Sequence, residues 1–580
     1  MSTGMKRRNS LSLAISGSGG AGVMTAAGVL LAAAARAGFF GLQTRSVGPQ
    51  IRGGEAAAMV RLATFPVHAH AGAFDLLLAV DWRNFSRFSG EIALAPDALV
   101  IMDEASGEPP AEIARTGARL LSLPLAAQAR EIGGRVNMLA VGLLGALAGL
   151  PQEALEEAIA RRFAAKGEDV IAPSIAAMQR GRAMAAQLAE RFAPLASPRE
   201  KTDEEPWIIN GNEAAALGAL TAGVKFAAAY PITPATEILE WLSPALSGAG
   251  GMLVQAEDEL ASINMIIGAS FGGAPSLTAT SGPGLSLMQE GIGLAAAAEV
   301  PVTVIDVQRG GPSTGIPTKS EQTDLEAALC GPHGEAAHLV TAPTCVADCL
   351  NTTAWTVHLA EALQAPAIML SDQMMGQMKT IMPRPQLPRW RAERLLQEPC
   401  EGGYERYRLT KSGISPMALP GTQGCLYTAD GLEHGENAIP STRVEDHAAQ
   451  LAKRAAKLAL HDFGDLWADV SGSGSMAVIC WGSTAGAMDE AVRQARRAGM
   501  ELRAIALRLL MPPQVEKMAA ALEGASRLLV VENSFSGQFL RYLRAHFDLP
   551  AKVRSLRHAG PRPISAAEIF KALADWQQEA

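Results

Sequence analysis

Three carboxylates stand together in Gln255-Ala256-Glu257-Asp258-Glu259, between a run that reads as a strand and a run that reads as a helix. Acids at a helix start are ordinarily surface groups stabilised by the helix dipole. One of them could instead be buried, where loss of water favours the protonated form and makes the side chain a proton donor. Other loops share this placement. Tyr230-Pro231-Ile232-Thr233-Pro234 sets one hydroxyl between two prolines, and read alone, Thr233 is a helix cap. Thr280-Ser281-Gly282-Pro283-Gly284 and Gln308-Arg309-Gly310-Gly311-Pro312 each follow a predicted strand. Proteins of the α/β class bind ligands at the carboxyl ends of strands, so the repeated placement weighs more than any one loop.

Nearer the N-terminus, Gly17-x-Gly19-x-x-Gly22 lies between a strand and a helix, where glycines let a phosphate approach the helix end. A dinucleotide site also wants an acid about 20 positions on, for the ribose. Leu42-Gln43-Thr44-Arg45 supplies none, which speaks against a nicotinamide enzyme. The stretch from Thr44 to Glu55 reads as a Gly/Pro-rich loop carrying Arg45 and Arg52. Guanidinium forks suit carboxylate or phosphate. Cys345 and Cys349 are four apart with no second pair near them, so no metal-ligand set is read from the six cysteines.

The elements that must carry these loops alternate strand, glycine turn and helix. Leu11–Ile15, Leu76–Val80 and Ala98–Met102 read as strands, and Val23–Ala37 as a helix. Such units imply parallel sheets with helices on their faces. A polar, proline-bearing linker spans 194–206. Second-segment strands are expected at Phe226–Tyr230, Met252–Gln255, Ser276–Thr280, Val302–Val307 and Ala367–Leu370, and third-segment strands at Met476–Cys480, Leu502–Ala506 and Arg527–Val531. The expected fold class is α/β with three α/β domains: 1–196, 207–377 and 473–580, joined by an irregular region at 378–472 with one helix near Asp446–Leu460.

Composition agrees. The chain has 580 residues, 48% hydrophobic, enough for several cores, with 57 glycines for the turns. Its net charge of −8 lacks the basic footprint of a nucleic-acid binder. Val136–Leu150 is shorter than a membrane span and holds several glycines, so a buried helix and no membrane partner are expected. Six scattered cysteines suit a reducing compartment, and the basic start runs into Ser16-Gly17 too soon for a secretory signal. The expected location is cytoplasmic.

Gly17-Ser-Gly-Gly-Ala-Gly22 together with Thr44-Arg-Ser-Val-Gly-Pro-Gln-Ile-Arg-Gly-Gly54 resembles the gamma domain of 2-oxoacid:ferredoxin oxidoreductases. Tyr230-Pro-Ile-Thr-Pro234, Gln255-Ala-Glu257, Thr280-Ser-Gly-Pro-Gly284 and Gly311-Pro-Ser-Thr-Gly-Ile-Pro-Thr318 resemble the alpha subunit of that family. Gly431-Leu-Glu-His-Gly-Glu-Asn437 and Val531-Glu-Asn-Ser-Phe-Ser-Gly-Gln538 extend the resemblance to the end of the chain.

The resemblance implies a gamma-like domain, a pyrimidine-binding domain and a transketolase C-terminal-like domain. It implies CoA-dependent oxidative decarboxylation of a 2-oxoacid, with thiamine diphosphate supplying the carbanion chemistry and electrons leaving to ferredoxin. 2-Oxoglutarate, giving succinyl-CoA, is the expected substrate, and pyruvate or a broad range of 2-oxoacids is the rival. No Gly-Asp-Gly with a downstream Asn and no cluster-spaced Cys occur in the sequence. By the family pattern Mg2+ and a [4Fe-4S] cluster belong to a separate beta subunit, paired with this chain in a dimer of heterodimers. The resemblance assigns Glu257 to the cofactor's aminopyrimidine, with Glu259 as fallback and Tyr230, Pro231 and Ile232 beside them. It assigns Thr233 to the 2-oxoacid head and Lys319 to the C1 carboxylate, with Arg309 as the alternative cation. Charge complementarity adds Arg45, with Ser46 beside it, for the second carboxylate of 2-oxoglutarate, and Arg52 for that group or a CoA phosphate. A reading of another class is a scaffold subunit whose partner does all the chemistry.

Overall fold

The computed structural model describes residues 7–48, 54–188, 192–198, 204–560 and 562–579. They form two compact units: Met1–Asn210 with Gln377–Pro385 and Ser565–Glu568, and Gly211–Gly376 with Gln386–Ile564 and Ile569–Ala580.

The first unit is built on an eight-stranded sheet in the order Arg119–Leu123, Leu94–Asp103, Phe74–Ala79, Ser10–Ser18, Glu55–Ala63, Phe40–Val47, Lys379–Met382, Trp207–Ile209. The first four run parallel, as the strand–turn–helix pattern implies. The other four are antiparallel, which that pattern did not predict. Here the expected loop from Thr44 to Glu55 is corrected: Thr44–Val47 lies on a strand paired residue by residue with Ala56–Met59. Ala-rich sequence has poor strand propensity, but Ala58 and Val60 are sealed in one core with Ala26, Ala27 and Leu30 of the helix Val23–Arg36, and burial overrides propensity. Trp207–Ile209, which opens the second segment in the sequence reading, pairs here as the edge of the first sheet.

Val136–Ala148 is a buried helix, as expected. It crosses Glu168–Ala186 so closely that a Cβ on Gly142 would lie 1.8 Å from the Met178 carbonyl, and one on Gly181 would lie 2.0 Å from that of Leu139. Glycine is required at both positions because each helix backbone occupies the other's side-chain space. Among the described residues no single helix is long and apolar enough to cross a membrane.

The second unit has two sheets. The seven-stranded one runs Leu509–Met511, Leu339–Thr341, Ala367–Asp372, Thr303–Gln308, Ser276–Thr280, Phe226–Ala229, Met252–Gln255, all parallel but the first. The five expected strands are all here; Leu339–Thr341 and Leu509–Met511 are too short for a periodicity signal. The chain goes from Phe226–Ala229 outward to Met252–Gln255, then returns to the other side at Ser276–Thr280. The strand order therefore reverses between Phe226–Ala229 and Ser276–Thr280, and such a switch opens a crevice at the strand ends. The five-stranded sheet runs Ala468–Ser471, Leu502–Leu507, Met476–Trp481, Arg527–Glu532, Lys552–Arg557. Val304, Ile368, Ile479, Trp481 and Val530 share one apolar cluster, so the two sheets close a common core.

The irregular segment after Gln386 is held down by buried charge. Glu299, wholly buried, is bound at 2.6 Å by Nζ of Lys453 and paired with Lys457, both on the helix Val444–Ala459. Arg406 donates to the Glu299 carbonyl at 2.8 Å. Burial alone would raise the Glu299 pKa, but Lys457, Lys453 and Arg406 outweigh it and hold the carboxyl at about 2, against the usual 4.5. Its stabilising contribution is therefore present above about pH 4.5 and is lost as pH falls toward about 2. Glu299→Gln leaves two buried lysines without a countercharge and is expected to destabilise the chain by about 3 kcal/mol at neutral pH, read as a lower unfolding midpoint, with the difference from the parent shrinking at acid pH.

Candidate active site

At the switch crevice the strand Phe226–Ala229 ends in Tyr230-Pro231-Ile232-Thr233-Pro234, with a cis Thr233–Pro234 bond, before the helix Thr236–Gly248. The helix cap is Ala235, not Thr233, so the capping alternative fails. The Thr233 side chain is exposed, and its hydroxyl has no hydrogen bond among the described residues. Its backbone is the anchored part. The Thr233 carbonyl accepts from Nη1 of Arg309 at 2.6 Å, and the next carbonyl, of Pro234, accepts from Asn212 Nδ2 at 2.9 Å. Tyr230 is exposed, while Pro231 and Ile232 are half-buried.

The three carboxylates are separated by the start of one helix. Asp258 is the cap of Glu259–Phe271 and accepts from the Ala261 amide at 2.7 Å. This cap turns its two neighbours in different directions. Glu257 is exposed, contrary to the expectation of a dry acid at that position. Glu259 is only 6% exposed and fills the space beside Gly284, where a Cβ would stand 2.6 Å from its Oε1. The fallback residue is thus the buried one. Helix geometry decides this: the residue after the cap turns inward as the first residue of the helix, while the residue before it is still in the loop.

Arg309 ends the strand Thr303–Gln308 and is 6% exposed. Burial lowers its pKa, and the charges of Asp324, Asp306 and Glu259 oppose that. Lys319 is half-buried at the neck of the loop 310–319, where its carbonyl accepts from the Gly310 amide at 2.9 Å. Of the two cations considered for a substrate carboxylate, Arg309 is the one bonded to the Thr233 turn.

Asp306 and Asp324 were missed by sequence reasoning. Asp306 lies in the run Val302-Thr303-Val304-Ile305-Asp306-Val307, where it is the one charged residue, and a charge inside a buried strand was the available signal. Burial and the neighbouring Asp324 push its pKa well up; burial pushes that of Asp324 up to about 6. The buried Ser281 hydroxyl, Arg309 Nε and both Asp306 oxygens have no partner among the described residues. Buried polar groups are normally satisfied, so the Ser281 hydroxyl and Arg309 Nε, at two strand ends, are open to a polar ligand.

In the first unit, Gly19, Gly20 and Gly22 line a cavity of about 510 Å³ with Arg135, Asn137 and Lys166. Asp81 accepts from the Ser18 amide at 3.0 Å and hydroxyl at 2.8 Å, so the acid nearest the glycine turn is engaged by the turn itself. Arg45 lines a second cavity, of about 230 Å³, with Arg162 and Lys379. Ser46 does not join it: neighbours on a strand face opposite ways, and its hydroxyl donates to Glu91 at 3.1 Å. Arg52 lies outside the described residues.

Residues 217–453 match the family described as pyruvate flavodoxin/ferredoxin oxidoreductase, thiamine diphosphate-binding, and residues 12–184 match pyruvate ferredoxin/flavodoxin oxidoreductase. The chain is 35% identical over 346 residues to 2-oxoglutarate synthase subunit KorA of Methanothermobacter marburgensis, covering 59% of this chain and 91% of that one. It is 32% identical over 460 residues to the 2-oxoacid:ferredoxin oxidoreductase subunit alpha of Saccharolobus solfataricus, covering 75% and 71%. Among solved structures, a 2-oxoglutarate:ferredoxin oxidoreductase from Magnetococcus marinus with 2-oxoglutarate, coenzyme A and succinyl-CoA bound matches at 34% identity. The match covers 98% of this chain and 100% of that one, with a TM-score of 0.91.

The fit of Glu259 against the Thr280–Gly284 turn can be tested on the protein alone. Gly284→Ala puts a Cβ 2.0 Å from Thr280 Oγ1 as well as against Glu259, and is expected to lower stability by about 1–3 kcal/mol. Gly293→Ala on the same helix meets nothing within 4 Å and should raise it by up to about 1 kcal/mol. Denaturant midpoints of the two variants check the contrast.

Proposed function

The chain belongs to the 2-oxoacid:ferredoxin oxidoreductase family, and from that membership we propose that it is the alpha subunit of a 2-oxoglutarate:ferredoxin oxidoreductase. The reaction is oxidative decarboxylation of 2-oxoglutarate with coenzyme A to succinyl-CoA and carbon dioxide, with electrons passed to ferredoxin. The observation that carries the reading is the correspondence with the whole Magnetococcus marinus chain, solved with 2-oxoglutarate, coenzyme A and succinyl-CoA bound.

The residues at the switch crevice fit the pyrimidine side of thiamine diphosphate. Glu259 is the buried acid, it packs against Gly284 of the Thr280–Gly284 turn, and Tyr230-Pro231-Ile232 follows the neighbouring strand. When bound, thiamine diphosphate supplies the carbanion chemistry of the decarboxylation. Glu259 would hydrogen-bond a ring nitrogen of the cofactor, in place of the exposed Glu257. Arg309 pairs with the substrate C1 carboxylate, and Thr233 offers its hydroxyl to the 2-oxo group. The glycine turn with Arg135 and Lys166 suits the phosphates of coenzyme A. Arg45 is retained as the cation for the second carboxylate.

The site is one half of a machine. Glu257, Thr233, Tyr230, Leu260, Met265 and Leu287 are all exposed, an apolar-rich surface that a partner would cover. We assign that partner as a beta subunit carrying Mg2+ and the [4Fe-4S] cluster, within a dimer of heterodimers in the cytoplasm.

In the complex with beta, Glu259→Gln is expected to lower kcat at least about a hundredfold, while Glu257→Gln stays within about threefold. Unchanged turnover in Glu259→Gln would favour a scaffold role for the chain. Arg45→Ala should raise KM for 2-oxoglutarate more than for pyruvate, by about tenfold, and an equal rise for both acids removes Arg45 from the distal carboxylate.

A further inference from the structure

Asp306 and Asp324 approach Arg309 from two elements. Asp306 is in the strand Thr303–Gln308, and Asp324 precedes the helix Leu325–Cys330. Their carboxyls are within hydrogen-bonding reach of each other. Neither oxygen of Asp306, nor Oδ2 of Asp324, has a donor among the described residues. The arrangement is tightly built. A Cβ on Gly282 would stand 2.7 Å from both oxygens of Asp324, so the first glycine of the Gly282-Pro283-Gly284 turn gives room to this carboxyl as the second does to Glu259. The Gln308 side chain accepts from the Asp324 amide at 3.1 Å and donates to the Ser371 carbonyl at 2.9 Å, which ties the second aspartate to the strand of the first and to its neighbour.

Charge and hydrogen-bond counting leave one arrangement. Two ionised carboxylates in contact in a dry site repel and have no donor between them. Two neutral ones leave the buried guanidinium of Arg309 without their countercharge. One proton between them makes the missing hydrogen bond and leaves a single negative charge facing a single positive one. We propose that Asp306 and Asp324 are positioning residues that share one proton, and that the one negative charge of the pair holds Arg309 at the Thr233 turn.

The charged groups around the pair are Arg309, Glu259 beyond it, and Glu321 next to Asp324. Burial favours the protonated form of both carboxyls, and the neighbouring Asp324 raises the pKa of Asp306 further. Loss of the shared proton at alkaline pH would put two negative charges against Arg309 and draw it away from a substrate carboxylate. KM for the 2-oxoacid should then rise on the alkaline side while kcat changes little. This kinetic consequence rests on the proposed function; the shared proton does not.

The first readout is infrared difference spectroscopy of the full complex at about pH 8, where exposed carboxyls are ionised. The parent minus Asp306→Asn spectrum should show a protonated carboxylic acid band. Asp324→Asn, which removes the partner, should also abolish the band and serves if the first variant fails to fold. No acid band in the parent, or a band unchanged in both variants, overturns the shared proton. The second readout is KM against pH. An amide at 306 keeps a neutral donor that cannot be lost, so Asp306→Asn should lose the alkaline rise in KM. A rise that persists in Asp306→Asn overturns the positioning role even if the band is lost. Absence of turnover with every 2-oxoacid would instead sink the enzymatic reading and leave the band to decide the proton.

Discussion

The bond from the Arg309 guanidinium to the carbonyl of Thr233 is the contact on which the site depends. It joins the ends of two strands that the sheet places two positions apart, with Ser276–Thr280 between them. A buried guanidinium has five donors to satisfy and cannot give up its proton, so everything packed around it must be an acceptor. The Thr233 carbonyl takes one of those donors, and the charges of Asp324, Asp306 and Glu259 favour the cation at that place. The exposed hydroxyl of Thr233 is presented where it is because its own backbone is held from behind.

The same chain buries charge in two ways, and the contrast separates architecture from chemistry. Around Glu299 one carboxylate meets Lys453, Lys457 and Arg406, and every one of them donates to it or to its carbonyl. That cluster binds the irregular segment and its helix to the core. Around Arg309 the balance is reversed: carboxyls outnumber the cation, and several of their oxygens lack a donor. At the strand ends the buried Ser281 hydroxyl and Arg309 Nε are left for a ligand.

Much of the fold was legible in the sequence. Apolar runs bounded by glycine and proline located the strands of the parallel sheets, because a strand buried on both faces must be continuously apolar. The loops at their ends were legible for the same reason. What failed to appear were the short edge strands, the antiparallel half of the first sheet, and the strand character of Thr44–Val47. These depend on which partner a backbone finds, and an alanine run such as Ala56–Ala58 carries no period to reveal it. The pair Asp306 and Asp324 was visible only as one charge in an apolar strand, since its second member is 18 positions away and meets it only after the sheet and the helix that follows have formed.

By itself the sequence determined the residue types, their order, and their places at the carboxyl ends of strands; it named the cluster Glu257-Asp258-Glu259 and the cations Arg309 and Lys319 as the chemistry to be weighed. Which acid is dry and which cation reaches the Thr233 turn was decided only by the tertiary structure. Side chains one or two positions apart are equivalent in a string, but a helix cap at Asp258 sends Glu257 to solvent and Glu259 inward. Likewise the loop 310–319 closes on itself and leaves Lys319 at its neck, while Arg309, at the end of its strand, is carried into the crevice. Burial sets the energy of a charge, and burial is a property of packing.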